Sequence, residues 1–335
     1  MNKKILILVI AAVFVFGSVL SYADTSYKLK RMTSDLYDRK THMKAKRYLS
    51  NYGKDVTPFV LPLLKDKNNE RVRVAALYII GKVGDTSAED EVIASLKDRD
   101  HRVRQEAART LSVIGSQKAV EPLKRLLNDS FPDVRFNAIR ALSNIAPKDE
   151  TDLFTNVLND YDPRIRMFAV RALGNLKVKS AVPYLSRMTG DPDPAVRIEL
   201  AKALGDIGSD DSLQALTWLL GDPDLQVRIL AVESLGKLKT SAADEALAQA
   251  ADSSDPRVAS IAILSLGDRK SSNALEVARA HLDDEHLSVK LASIEVVGKM
   301  GGSGDKDPLK NMLDAESSKV RRSAQKALQG VEGSK

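Results

Sequence analysis

The chain has no cysteine. That excludes disulfides, thiol nucleophiles and cysteine-held metals, and it suits an oxidising compartment without requiring one. Aromatic residues are scarce at 5%, and there is one tryptophan, Trp218. Histidines are few: His42, His101, His281 and His286. Four scattered imidazoles give no workable ligand set, so neither a metal nor a cofactor is expected. Long apolar runs are missing too, apart from one at the N-terminus. What remains, 43% hydrophobic and 29% charged, is the composition of a folded chain rather than a disordered one.

The one apolar run extends from Ile5 to Leu20, behind Lys3 and Lys4. Ser21-Tyr22-Ala23 follows and resembles the small-x-small site of signal peptidase, with cleavage before Asp24. The run falls short of the ~20 residues that span a bilayer. Residues 1–23 therefore read as an export signal, which makes the protein periplasmic or secreted. The alternative is an uncleaved N-terminal membrane anchor. Loss of Lys3 and Lys4 would lower the formal charge from +6 to +4. The remaining surplus is local: residues 24–54 hold nine Lys or Arg against three Asp, and the rest of the chain is nearly balanced.

Beyond that point the chain repeats itself. Val72, Val103, Val134, Ile165, Val196, Val227, Val258, Val289 and Val320 stand at one constant interval of thirty-one, without an insertion. A period of this size is the signature of stacked supersecondary units. Four residues after the reference position stands Ala in seven of the nine units, and eight after stands Leu, Ile or Val in all of them. Eleven after, most units carry an aliphatic residue or Met. These offsets trace one stripe of a helix, here called helix A, and the small alanines let a neighbouring helix come close. Asp162-Pro163, Asp193-Pro194 and Asp255-Pro256 supply a capping carboxylate followed by a proline at the first helical position. Gly84, Gly115 and Gly208 fit the turn that ends the helix. A second apolar pattern, as in AVEPLKRLL (119–127) and SLQALTWLL (212–220), marks helix B, with Leu123, Phe154, Leu185, Leu216 and Leu309 in its buried column.

Helices this short are marginal alone in water, so each must bury its stripe on its partner and on the adjacent units. The expected fold is all-α, a right-handed α-α superhelix (an α-solenoid) of about ten 31-residue helical hairpins spanning residues 35–332. A short segment, 24–34, precedes it and residues 333–335 form a tail. Residues 35–66 fit the frame with Thr41 at the reference position, and Ser317–Gly330 supplies a closing helix A with no helix B.

The pattern D-P-x-V-R-x-x-A-x-x-A-L-G-x-I-G resembles HEAT-type repeats, in the short bacterial form also seen in phycobilin lyase-like proteins. The resemblance covers nearly all of residues 35–332. It is specific for fold and weak for function, because the motif residues are those that pack and cap. It implies that the B helices line the concave face. Deoxyhypusine hydroxylase, a related HEAT-like enzyme, binds iron through repeated His-Glu pairs. This chain has none, since Glu285-His286 is reversed and solitary. His281 falls in an apolar column of helix B and reads as a packed histidine, while His42 and His101 read as surface residues.

An Arg follows the reference position as Arg73, Arg104, Arg135, Arg166, Arg197, Arg228 and Arg321, with Lys290 once and Ala259 as the break. Asp100, Asp162, Asp193 and Asp224 stand four residues before their Arg, the favourable acid-first helical spacing. The series is either a ladder of anion sites or a set of Asp caps tied to Arg within and between repeats. The resemblance implies the second. GGSGD (301–305) lacks the Lys-Ser/Thr and the preceding strand of a phosphate loop, so it reads as a flexible turn between helices A and B.

The exposed side of helix B falls at two adjacent columns, twenty-one and twenty-two places after the reference position. It runs from Pro62-Leu63 through Lys124-Arg125, Ser186-Arg187 and Thr217-Trp218 to Arg279-Ala280 and Lys310-Asn311. The packed columns stay constant while this one varies from unit to unit, as expected when a fixed framework carries a specialised surface. Trp and Arg are the side chains enriched at interface hot spots. Lys124, Arg125, Arg187, Trp218, Arg279 and Lys310 are thus the candidate partner-binding residues, although Trp218 would equally serve to fill a groove between helices. No catalytic set is visible.

The expected function is a non-enzymatic, protein-binding scaffold or adaptor in the bacterial cell envelope. One alternative is binding of an anionic surface through the basic N-terminal end. Another is an enzyme of the phycobilin lyase-like kind. No nucleic acid is expected as a partner.

Overall fold

The structure, a computed structural model, describes residues 24–146 and 151–333. The export segment expected at 1–23 lies outside these residues. Every regular element among them is helical, and no helix is long and apolar enough to cross a membrane. The fold is an α-solenoid of stacked helical hairpins, in two compact units that part between Leu153 and Phe154.

In the first unit the A helices are Glu70–Val83, His101–Ile114 and Pro132–Ile145, and each packs on the next. In the second they are Pro163–Asn175, Pro194–Ile207, Leu225–Leu235, Pro256–Asp268, Leu287–Met300 and Ser318–Gly333, again stacked in order. The reference residues and the columns four and eight behind them make the core; Val103, Ala107 and Leu111 are fully buried, as are Val196, Leu200 and Leu204. The column eleven behind is less uniform: Ile207 and Leu238 are buried, but Leu176 is 41% exposed. Its helix ends at Asn175, before the final turn that would have carried it inward.

A second small column, not singled out above, stands nine places behind the reference position. A Cβ on Gly174 would come within 2.8 Å of the Ala203 backbone on the next A helix, and one on Gly205 within 2.9 Å of the Ser234 backbone. Gly298 faces the Ala327 backbone in the same way, and Gly267 faces the Val296 side chain. The absence of a side chain there sets how closely successive A helices stack.

The caps follow the sequence. Asp100, Asp162, Asp193, Asp224 and Asp255 each accept a hydrogen bond from a backbone N–H in the first turn of their helix. Gly84 and Gly208 close theirs in the left-handed conformation, whereas Gly115 is extended (φ −70°). The B helices are short. Val120–Leu126 and Leu213–Leu219 are each led by a 3-10 turn, and Val182–Leu185 is a single turn followed by another. Leu123, Phe154, Leu185, Leu216 and Leu309 are buried as the pattern requires.

The ends are fuller than the repeat frame implies. Residues 24–35 are helical rather than a plain leading segment, and bury Leu29 and Thr33. His42, expected at the surface, is buried, with its ring Nδ1 2.7 Å from the Leu36 carbonyl. It begins a truncated helix, His42–Ser50, whose N-terminus is covered by the chain entering from 36.

Candidate binding face and the arginine ladder

Arg73, Arg104, Arg166 and Arg197 are structural, but their partner is not the capping residue four places back. In the second unit, Arg166 grips the Asp191 carboxylate with Nε and Nη2, both at 2.7 Å, and donates from Nη1 to the Asp160 carbonyl at 2.7 Å. Arg197 repeats this on Asp222 at 2.7 and 3.0 Å, and on the Asp191 carbonyl at 2.7 Å. In the first unit, Arg73 and Arg104 do the same on Asp98 and Asp129. Each guanidinium thus ties the loop that precedes its helix A to the loop that follows its helix B. Planar, bidentate pairing of this kind is specific to Arg. The pairs are largely covered: side-chain exposure is 11% and 6% for Arg166 and Asp191.

The carboxylates serve twice. Asp191 also accepts from the Asp193 amide, and Asp222 from the Asp224 amide, both at 2.9 Å. The hydrogen bond to Asp191 holds the Arg166 guanidinium above its ordinary pKa, and that to Asp222 does the same for Arg197. For Asp129, burial pushes the carboxyl up, but hydrogen bonds from Arg104 and the Phe131 amide prevail and leave it below the usual range. Three capping carboxylates pair two residues forward instead, Asp100 with Arg102, Asp162 with Arg164 and Asp255 with Arg257. The Arg102 hydrogen bond brings Asp100 down to about 2.

The variable pair of columns is the outer side of helix B. Trp218 is 74% exposed, so it does not fill a groove between helices. It stands on the wall of a cleft of 960 Å³ in the second unit. Leu213, Gln214 and Thr217 line it on the same helix, and the Asp191-Pro192 and Asp222-Pro223 loops bound it. Arg197 reaches into this lining, so the ladder braces the cleft. On the preceding B segment the Arg187 guanidinium lies 6.0 Å from the Tyr184 ring centre. Tyr184, 52% exposed, was not among the expected contacts; an aromatic one turn before Arg187 is the signal that marks it.

The other candidates are spread out. Lys124 and Arg125 belong to the first unit, where Lys124 is 2.8 Å from Glu121. Arg279 clamps the buried Asp305 carboxylate at 2.6 and 2.9 Å, and Asp305 also accepts from the Gly302 amide. The GGSGD turn is therefore pinned through its aspartate. Lys310 lies 3.8 Å from Asp307. His281 is largely enclosed, its ring between the Val277 carbonyl and Asp252. His101 stacks on Phe131 at 3.9 Å.

Stacked hairpins with a constant core and a variable B-helix surface define the α-α repeat class. The profile of HEAT repeats matches residues 57–131, 123–191, 185–262 and 243–329, and the chain belongs to that family. Among solved structures, an engineered protein aligns over 91% of this chain and 98% of its own, at 20% identity and a TM-score of 0.50. The X-ray structure of the Escherichia coli protein YibA aligns over 72% and 92%, at 24% identity and a TM-score of 0.47. Human deoxyhypusine hydroxylase in complex with glycerol aligns over 72% and 95%, at 20% identity and a TM-score of 0.33. These likenesses concern the fold. No curated protein matches the chain in sequence.

Proposed function

We propose that the protein is a non-enzymatic binding scaffold that takes another protein on its B-helix face, and that it works in the bacterial cell envelope. The carrying observation is Trp218, a large aromatic left 74% exposed beside a cleft whose floor is braced by buried ion pairs. An aromatic anchor on a rigid wall loses little entropy on binding. Arg187 and Tyr184 extend the same surface with a cation and a second ring. The HEAT-like resemblance, which puts B helices on the inner side, and the signal-like residues 1–23 support the reading.

The test is crosslinking from intact envelopes with the wild type and with Arg187→Ala/Trp218→Ala. Loss of specific crosslinked proteins in the double variant is the expected result. Recovery of the same set from both would remove the B-helix face as the docking surface.

A second reading rests on the N-terminal end. Lys28, Lys30, Arg31, Arg39, Lys40, Lys44, Arg47 and Lys54 are all exposed there, alongside exposed Tyr27 and Met43. Such a surface suits anionic lipid or polysaccharide, and its binding would fall steeply with salt. Salt-insensitive partner capture that depends on Trp218 separates the first reading from this one.

A further inference from the structure

The ladder is interrupted at Arg228, where the arginine itself is still present. Arg228 holds the same pose as the arginines of the closed rungs: Nη1 donates to the Asp222 carbonyl at 2.7 Å and to the Pro223 carbonyl at 3.2 Å. Arg166 makes the corresponding pair of bonds to Asp160 and Tyr161, at 2.7 and 3.3 Å. In Arg166 and Arg197 the Nε–Nη2 edge then closes on a carboxylate 25 residues ahead. At the same distance ahead of Arg228 stands Ser253. Ser253 Oγ keeps one duty of the missing aspartate, accepting from the Asp255 amide at 3.3 Å, but it does not reach the guanidinium. Among the described residues no carboxylate comes within ion-pairing distance of Arg228.

We propose that Arg228 is an open rung: a half-buried binding site, fixed in orientation by two carbonyls, that takes a carboxylate from outside the chain between the Asp222–Asp224 loop and Ser253. Three features make it a built site rather than a surface arginine. Its orientation is already set, so little side-chain entropy is lost on binding. Its unfilled edge is the one that closed rungs use for two charge-assisted hydrogen bonds. Ser253, shorter than aspartate and uncharged, stands where the preceding units carry Asp191 and Asp222. Arg321 has a similar carbonyl pose, on the Ala315 and Glu316 carbonyls, but lies exposed. The Arg228 site shares the Asp222-Pro223 loop with the Trp218 cleft but does not require a protein docked there.

The experiment compares full-length wild type, Arg228→Gln and Ser253→Asp by thermal unfolding at neutral pH, with sodium acetate replacing sodium chloride at constant ionic strength. Ser253→Asp supplies the missing carboxylate from within, so its Tm should rise by about 2 °C over wild type. Acetate should raise the wild-type Tm along a saturating curve and leave both variants unmoved beyond the general salt effect. A blocked tripeptide, acetyl-Gly-Asp-Gly-amide, then identifies the source. Binding roughly tenfold tighter than acetate assigns the carboxylate to a polypeptide side chain, and equal binding assigns it to a small free acid. Equal responses of all three proteins to acetate, or a Ser253→Asp variant no more stable than wild type, would overturn the open rung.

Discussion

Two neighbouring stretches of the second unit, built on one template, hold together differently. Around Arg166 and Arg197 every rung is closed, and buried carboxylates join loop to loop. From Arg228 onward the arginine positions read Arg228, Ala259, Lys290 and Arg321 and the carboxylate positions Ser253, Asp284 and Ala315, so that arginine and carboxylate no longer coincide, and among the described residues no rung closes in that manner. Other bridges appear in their place. Arg269 reaches Asp244 at 2.6 Å and the carbonyls of Gly236 and Thr240, and Arg279 clamps Asp305. Both tie adjacent repeats through the A–B turns instead of the loops between repeats. A packed apolar core thus keeps the repeat intact while the polar stitching moves, and where it moves Arg228 keeps its carbonyl bonds but, among the described residues, no carboxylate partner.

The contrast is most exposed to test at the arginines themselves. Arg166→Met leaves Asp191 buried without its cation and should cost about 3–5 kcal/mol. Arg228→Met removes only hydrogen bonds to carbonyls and should cost about 1–2 kcal/mol. Urea midpoints of the two variants at matched m-values provide the comparison, and equal losses would mean that the closed rung adds nothing.

The glycine column gives the next largest difference. Gly205→Ala drives a Cβ into the Ser234 backbone and should cost about 1–3 kcal/mol. Gly236, in the interrupted stretch, meets Ser265 at 3.2 Å and the Glu233 carbonyl at 3.1 Å. Its replacement by Ala should cost less than half as much in the same assay. If Gly236→Ala proves the more damaging, the tighter stacking lies beyond Arg228.

Acid separates the caps from the rungs. Asp100 titrates near 2 when folded, against 3.8 in the unfolded chain, so its contribution is complete above 3.8 and disappears as pH falls toward 2. Its partner Arg102 is more than half exposed, and solvent screening limits the effect to at most about 1 kcal/mol. Asp100→Asn should therefore flatten the stability profile between those pH values and change little at neutrality, as followed by unfolding midpoints across the acid range. The smallest effect is expected at the binding face: Trp218→Ala should leave stability within about 0.5 kcal/mol, because most of that ring already meets water. A larger loss would make Trp218 a packing residue after all.

Much of this architecture can be read from the one-dimensional pattern. The constant repeat interval, the core columns and the Asp-Pro helix starts all involve neighbours along one helix or at a fixed spacing, and the structure follows them. The Arg column was legible too, yet its partner was not. Spacing alone favours Asp162 for Arg166, four residues back on the same helix, whereas the bond goes to Asp191. His42 and Leu176 show the same limit: one is covered and the other uncovered by where a helix ends, which their neighbours in sequence do not reveal.

The amino-acid sequence by itself determined the repeat, the hairpin and the residues available at each column, because helix periodicity and capping are local. Only the tertiary structure decided which carboxylate each guanidinium meets, how closely the glycines let helices approach, and that Trp218 faces outward while Arg228 bonds the Asp222 and Pro223 carbonyls. Those depend on one repeat lying against the next, and a bond from Arg166 to Asp191 is set by that stacking rather than by either residue alone.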